Sequence, residues 1–240
     1  MVAMQRQRVD AQPAWVLHAY PFRETSLIIE AFTRDYGRVA LLARGARRPR
    51  SVLRGVLLAF QPLELGWAGK GEVQTLMKAE WQGGQPLLSG KALLCGYYLN
   101  ELLMNLLPRE DAHENLFAAY SDTMQRFAKG LREADLRSFE HSLLAELGYG
   151  LTLSHDVDGN PIEAAAFYAY QIERGAVRLS APGSSSLSVC GKTLQDMALE
   201  DFSDPRSLLE SKQLMRSLMT HYLGGHHLET RKIFMELQEL

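Results

Sequence analysis

The spacing of apolar residues changes once along this chain, close to Pro86. Before that point apolar and polar residues alternate, as Leu63, Leu65 and Trp67 do with their neighbours, and a period of two is typical of β-strands. After it, apolar residues recur every third or fourth position, which is the helical period: Leu94, Tyr98, Leu102 and Leu106. A run of strands followed by a run of helices predicts an α+β fold.

Five short strands are predicted in the first third of the chain, over residues 15–20, 25–33, 37–44, 56–67 and 72–81. Residues 1–12 are polar, and we expect them to be frayed. Turn residues such as Pro21 and the run from Ala68 to Gly71 separate the strands. Five strands with one long connection after the third are typical of a small closed barrel. An OB-fold is the most frequent such barrel that binds nucleic acid, and an SH3-like barrel would give nearly the same pattern.

The remainder of the chain is predicted to be helical, with one interruption. Helices are expected near residues 92–107, 113–129, 133–147, 191–201, 205–223 and 229–240, and a small hairpin at 167–171 and 176–179. Residues 180–188 are rich in Ser, Pro and Gly, and we expect them to be mobile. The predicted organisation is an OB-fold domain at 1–82, a helical bundle formed by 83–150 and 191–240, and a small loop and hairpin insertion at 151–190.

The segment 37–55 carries six arginines and no acidic residue. They are Arg38, Arg44, Arg47, Arg48, Arg50 and Arg54. The first half alternates like a strand, with Val39, Leu41 and Ala43 on one face, whereas Gly45 and Pro49 indicate a loop. Arginines on a strand and a loop can lie along a polyanion, because guanidinium groups match phosphate oxygens. The alternative is a solvated charge run.

Composition agrees with a protein whose two parts have different partners. The net charge is −2, but residues 1–80 contain twelve Lys or Arg against seven Asp or Glu, and the remainder contains fourteen against twenty-one. With two cysteines, no signal peptide and no apolar segment of 18 residues, the sequence predicts a cytoplasmic protein without a membrane partner. We recognise no catalytic motif, and we expect neither an enzyme nor a metal or other cofactor.

A second basic cluster lies where the second and third predicted helices meet: Arg126, Lys129, Arg132 and Arg137. It borders the apolar residues Tyr120, Met124 and Leu136. A basic rim on an apolar groove suits an acidic, hydrophobic peptide tail. A helical surface on which long cations cover apolar neighbours is the alternative.

Six segments distributed along the chain form a pattern of their own: ETSL at 24–27, GRVALLARGAR at 37–47, GEVQTL at 71–76, YLNELL at 98–103, 139–150 from Phe-Glu to LGYG, and 222–231 beginning with YLGG. In their order and spacing these segments resemble the RecO family of bacterial recombination mediators. The resemblance implies an OB-fold followed by a helical bundle. In some relatives the insertion is a four-cysteine zinc module, but residues 151–191 contain only Cys190 here, so we expect no zinc.

The resemblance also implies a function. Members bind single- and double-stranded DNA, anneal complementary strands, recognise the acidic C-terminal tail of single-stranded DNA-binding protein (SSB), and act with RecR to load RecA. This implies a nucleoid-associated protein. The implied DNA contacts are Arg38, Arg44, Arg47 and, further along, Arg48, Arg50 and Arg54. Arg137 would bind the tail, with Tyr120, Met124 and Leu136 as walls. A protein–protein adaptor without DNA contact is the alternative, and a DNA-cleaving enzyme is third.

Overall fold

The computed structural model describes residues 7–181 and 187–238. Contacts between residues divide the chain into two compact units. The first comprises the described residues up to Leu131 and from Leu228 onward, and the second comprises Arg132–His227. This grouping differs from the organisation predicted above, because two of the helices after the barrel and the C-terminal helix belong to the barrel unit. No helix in the described parts of the chain is long and apolar enough to cross a membrane.

The first unit begins with a closed five-stranded barrel. Its strands are β1 (Gln7–Phe22), β2 (Ser26–Thr33), β3 (Gly37–Ala43), β4 (Leu63–Gly69) and β5 (Val73–Trp81). The strand order around the barrel is β1-β2-β3-β5-β4, and all contacts are antiparallel except that between β3 and β5. The predicted OB-like barrel is therefore confirmed.

Two of the predicted strands have different bounds. β1 begins at Gln7, inside the segment expected to be frayed, and its first half pairs with β4 while its second half pairs with β2. This double pairing closes the barrel and orders a polar segment. The fourth strand, expected from residue 56, begins only at Leu63. Val56 instead ends a short helix, α1 (Leu53–Val56), in which Leu53 and Val56 lie one helical turn apart and both pack against the barrel core.

The barrel core follows the predicted alternation in β3, whereas β5 does not alternate regularly. Val39, Leu41 and Ala43 are all buried in the core. In β5, Leu76 is buried and Ala79 packs against the core, although they lie an odd number of residues apart. The pairing with β4 skips Met77, and this bulge moves the following residues to the opposite face. Met77 itself is exposed.

Three helices complete the first unit: α2 (Gly90–Leu106), α3 (Glu114–Lys129) and α7 (Glu229–Gln238). The carboxylate of Glu101 in α2 accepts hydrogen bonds from the backbone N–H groups of Glu229 and Thr230, at 2.7 and 3.1 Å. A carboxylate is favourable at these otherwise unpaired donors of a helix N-terminus. The first turn of α7 is thus attached to α2.

The second unit contains three helices and a small sheet. The helices are α4 (Glu133–Glu146), α5 (Gly191–Ala198) and α6 (Pro205–Tyr222), and the strands are β6 (Phe167–Gln171), β7 (Gly175–Leu179) and β8 (Ser188–Cys190). The predicted hairpin is confirmed as β6 and β7, and β8 adds an unpredicted third strand on the other side of β6. Most of the segment expected to be mobile, residues 182–186, lies outside the described residues. At the start of α6, the side chain of Asp204 accepts a hydrogen bond from the N–H of Arg206 and so caps the helix.

Candidate nucleic-acid interface

The arginine-rich loop is fixed to one end of the barrel. Ala46 is completely buried in the barrel core, and the N–H of Arg47 donates to the carbonyl of Thr25 at 2.8 Å. Gly45 takes a positive φ of 68°, which a residue without Cβ adopts readily. The loop is therefore held beside the turn between β1 and β2, while its charged side chains point outward.

Five of the six arginines in the segment 37–55 are exposed: Arg44, Arg47, Arg48, Arg50 and Arg54. Among the described residues, no carboxylate lies within salt-bridge distance of any of them. We call these five the loop arginines. Cations without acidic neighbours produce an uncompensated positive potential, which attracts an anionic polymer. Their contact with DNA stays a prediction.

A further exposed arginine, Arg23, lies beside the loop and was missed in the sequence. Its carbonyl accepts a hydrogen bond from the Arg47 guanidinium at 3.2 Å. Its own guanidinium lies 5.2 Å from the centre of the Phe22 ring. Arg23 has a positive φ of 51° in the turn between β1 and β2. In the sequence Arg23 stands alone beside Glu24, so only the pairing of β2 with β3 brings it to the loop.

The outer face of the barrel next to the loop is partly apolar. The strand register aligns Tyr20, Ile28 and Leu42 across β1, β2 and β3. Tyr20 is 43% exposed, and its ring centre lies 4.3 Å from that of His18. Seven aromatic residues lie near the basic segment in the sequence: Trp15, Tyr20, Phe22, Phe32, Tyr36, Phe60 and Trp67. Four of them are buried: Trp15, Phe32, Phe60 and Trp67. Tyr20 is the most exposed of the seven and is therefore the best candidate for base stacking.

Arg38 is placed differently from the loop arginines. Its side chain is only 14% exposed and lies 3.4 Å from the carboxylate of Glu30, which is itself buried. Its Nε donates to the carbonyl of Leu107 at 3.1 Å. Burial lowers the pKa of Arg38, although Glu30 opposes this effect. Arg109 donates to the second oxygen of Glu30. Arg38 therefore joins the barrel to the segment after α2, and the expectation that it contacts DNA does not agree with this placement.

Tyr120 and Met124, two predicted walls of the tail-binding groove, lie in the interior of the first unit. Both are completely buried, and the hydroxyl of Tyr120 donates to Oδ1 of Asn100 at 2.5 Å. Burial raises the pKa of Tyr120. These side chains belong to the apolar face with which α3 packs, so they cannot form an open groove without rearrangement. This part of the prediction needs correction.

The other two residues predicted to bind the tail lie in the second unit. Arg137 is buried and donates to Glu140 at 2.8 Å, while its Nε has no hydrogen-bond partner among the described residues. Leu136 is half-buried. Hydrogen bonds from an arginine to a carboxylate are charge-assisted and strong, and Arg137 has one donor left for such a bond. Arg137 and Leu136 thus remain candidates, and their role stays a prediction.

Metal-ligating residues are not gathered in one place in the parts of the chain that the structure describes. The Asp156–Asn160 segment, which carries two aspartates and an asparagine, forms a turn. Oδ1 of Asp156 accepts hydrogen bonds from the N–H groups of Asp158 and Asn160, at 3.0 and 2.8 Å. This is the local pattern of an Asx turn, in agreement with the turn that this segment's sequence favours.

Comparison with known proteins covers nearly the whole chain. The family model described as "Recombination protein O N terminal" matches residues 7–84, and "Recombination protein O C terminal" matches residues 87–232. A DNA repair protein RecO of Dechloromonas aromatica is 66% identical over 239 residues, which is 98% of this chain and 99% of that protein. Proteins of the same name from Azoarcus sp. and Aromatoleum aromaticum are 57% and 56% identical, again over 98% of this chain and 99% of theirs.

Proposed function

The chain belongs to the RecO family of DNA repair proteins, and on that premise we propose that it is a non-enzymatic mediator that binds DNA through the loop arginines. The observation that carries this proposal is the group of five exposed guanidinium groups at one end of the barrel, for which the described residues supply no carboxylate partner. Contacts to phosphates do not depend on base sequence. The surface therefore suits both single- and double-stranded DNA.

Strand annealing follows from the same charge. Two complementary strands repel each other because both are polyanions, and a shared cationic surface reduces this repulsion. The exposed Tyr20 offers a ring for one unpaired base next to the cations. We propose that the protein holds strands in this way and brings complementary sequences into pairing.

The test is the salt dependence of binding to a labelled single-stranded oligonucleotide, followed by fluorescence anisotropy. If each loop arginine neutralises one phosphate, log K falls against log salt with a slope of about −3.5. Arg44→Glu/Arg47→Glu/Arg48→Glu removes three contacts, so the slope should fall to about −1.4 or less, with loss of affinity. Lys91→Glu/Arg216→Glu/Lys232→Glu is the matched control, because it makes the same charge change at exposed sites outside the loop.

Equal effects of the two triple variants would refute a localised site, because net charge alone would then explain binding. Unchanged binding and unchanged annealing in the loop variant would favour the adaptor, which has no need of DNA contact. Cleavage of the oligonucleotide in the presence of Mg²⁺ would contradict the non-enzymatic proposal.

We further propose that this mediator acts on SSB-coated DNA, with RecR as a partner and RecA as the protein loaded. Arg137, with its unused Nε, would bind the terminal carboxylate of the SSB tail, and Leu136 would contact the tail's apolar residues. A peptide with an acidic, hydrophobic C-terminus tests this by anisotropy. Leu136→Asp and amidation of the peptide C-terminus should each weaken binding, whereas Tyr120→Phe should not. Equal binding of the acid and amide peptides would contradict the assignment of Arg137.

A further inference from the structure

The second unit contains a cleft that the proposed function does not use. It has a volume of about 200 Å³ and lies between the loop that follows α4, the turn between β6 and β7, and the C-terminal end of α6. Three tyrosines line it: Tyr149, Tyr170 and Tyr222. Tyr149 and Tyr222 come from two of the segments, LGYG and YLGG, that carry the family resemblance. Neither segment has a role in the barrel.

The two tyrosines from these segments are stacked. The ring centres of Tyr149 and Tyr222 are 4.2 Å apart and their planes differ by 20°. His221 packs edge-on against Tyr222, at 5.1 Å. Tyr149 nevertheless remains 44% exposed. Since Tyr222 covers one face of the Tyr149 ring, the exposed surface of Tyr149 is available to a further planar group, with which offset stacking is favourable.

The rest of the lining is compatible with a planar ligand that carries an adjacent negative charge. Gly148 and Gly175 line the cleft and have positive φ angles of 82° and 110°. Because glycine has no side chain, a ligand can lie close to the backbone at these two positions. Arg174 is exposed at the cleft and uses Nη1 to bind Gln171 at 2.9 Å. A guanidinium has further donors. The acid at the cleft, Glu173, lies 3.5 Å from Nε2 of His221.

We propose that this cleft binds one unpaired nucleobase of single-stranded DNA, which continues the Tyr149–Tyr222 stack while Arg174 contacts the adjoining phosphate. This inference rests on the proposed function and adds to it a DNA site that is separate from the loop arginines. A paired base within a duplex is stacked on both faces, so neither face is free to stack on Tyr149. The cleft is therefore selective for single strands, unlike the loop arginines, whose phosphate contacts serve both forms.

The direct test is photo-crosslinking of the full-length chain to an oligothymidylate that contains 5-iododeoxyuridine, followed by peptide mapping. A base stacked in the cleft gives an adduct on Tyr149 or Tyr222. Tyr149→Trp keeps a stacking surface and should retain binding. Tyr149→Ala should lower the affinity for the single strand about 5-fold or more, without changing the salt slope or the affinity for duplex, because no charge is lost.

Tyr97→Ala is the matched control, because Tyr97 is also 43% exposed and packs edge-on against another ring, that of Phe60. Circular dichroism shows whether each variant is folded. An adduct confined to the barrel, or equal affinities of the Tyr149→Ala and Tyr97→Ala variants, would refute base binding in the cleft. Neither result would contradict the proposed DNA contact of the loop arginines. Loss of the salt slope in the loop variant with retention of the Tyr149 adduct would support the cleft. If the wild type binds no oligonucleotide, both proposals fail.

Discussion

Replacing Arg38 should destabilise the first unit, whereas replacing Arg44 should not, although both residues belong to the same arginine-rich segment. Arg38→Ala removes a cation that is 14% exposed and leaves Glu30, which is buried, with Arg109 as its remaining partner. It also leaves the carbonyl of Leu107 without its donor. Removing one member of a buried ion pair lowers the free energy of unfolding by about 3–5 kcal/mol.

We expect a loss of about 3 kcal/mol, at the lower end of that range, because Arg109 still binds Glu30. This corresponds to a decrease in melting temperature on the order of 6–12 °C. Arg44→Ala removes an exposed side chain that forms no salt bridge with any described residue, so its effect should stay within about 0.5 kcal/mol.

Tryptophan fluorescence during urea unfolding measures this difference in the right part of the molecule. The three tryptophans, Trp15, Trp67 and Trp81, all belong to the first unit, so the signal reports on that unit alone. Without urea, at a temperature at which both variants are folded, DNA affinity should show the opposite order. Arg44→Ala should bind DNA more weakly than Arg38→Ala. A wild-type unfolding midpoint for Arg38→Ala together with a large loss of DNA affinity would refute the reasoning and return Arg38 to the DNA interface.

Three further changes test the structure. Gly37→Ala should prevent proper closure of the barrel unit, because a Cβ there would lie 1.8 Å from the carbonyl oxygen of Asp111 and φ is +62°; low soluble yield and an early unfolding transition would show it. Tyr120→Phe should cost about 1–3 kcal/mol in urea unfolding, since Oδ1 of Asn100 loses its buried donor. Burial favours a higher pKa for Glu210, but its hydrogen bonds give a lowered pKa overall. The contribution of Glu210 to stability is therefore fully present above its pKa in the unfolded chain, and it is lost as the pH falls through its pKa in the folded protein. Glu210→Gln should therefore make the unfolding of the second unit, followed by circular dichroism, less dependent on pH in the acid range.

The barrel was predictable because its strands obey a local rule. Apolar alternation identified β3 and the core positions Val39 and Leu41, and the turn residues separated most strands. What alternation could not give is the bulge at Met77, because a bulge depends on which partner residue is skipped. Nor could it give the first eight residues of β1, since their order comes from pairing with β4, far along the chain.

The interface was predictable in part, because charge is visible in a sequence while pairing is not. The loop arginines are exposed as expected, but Arg38 looked identical to them until the structure placed it beside Glu30. For Tyr120 and Met124 the sequence did contain a warning. Their spacing of four residues put both on the apolar face of α3, and that face is buried. A residue needed for a helix core is not at the same time available as the wall of an open groove.

The attachment of α7 to α2 through Glu101 has a consequence for synthesis of the chain. The first unit is interrupted by the whole of the second, and its helix α7 follows the second unit along the chain. A ribosome therefore releases the barrel, α2 and α3 long before the residues that complete their unit. The second unit is contiguous and can fold while synthesis continues, whereas the unit that carries the loop arginines stays unfinished until α7 has been synthesised. Premature termination near residue 228 would thus leave a complete second unit beside an α2 whose Glu101 carboxylate has lost the helix that it caps.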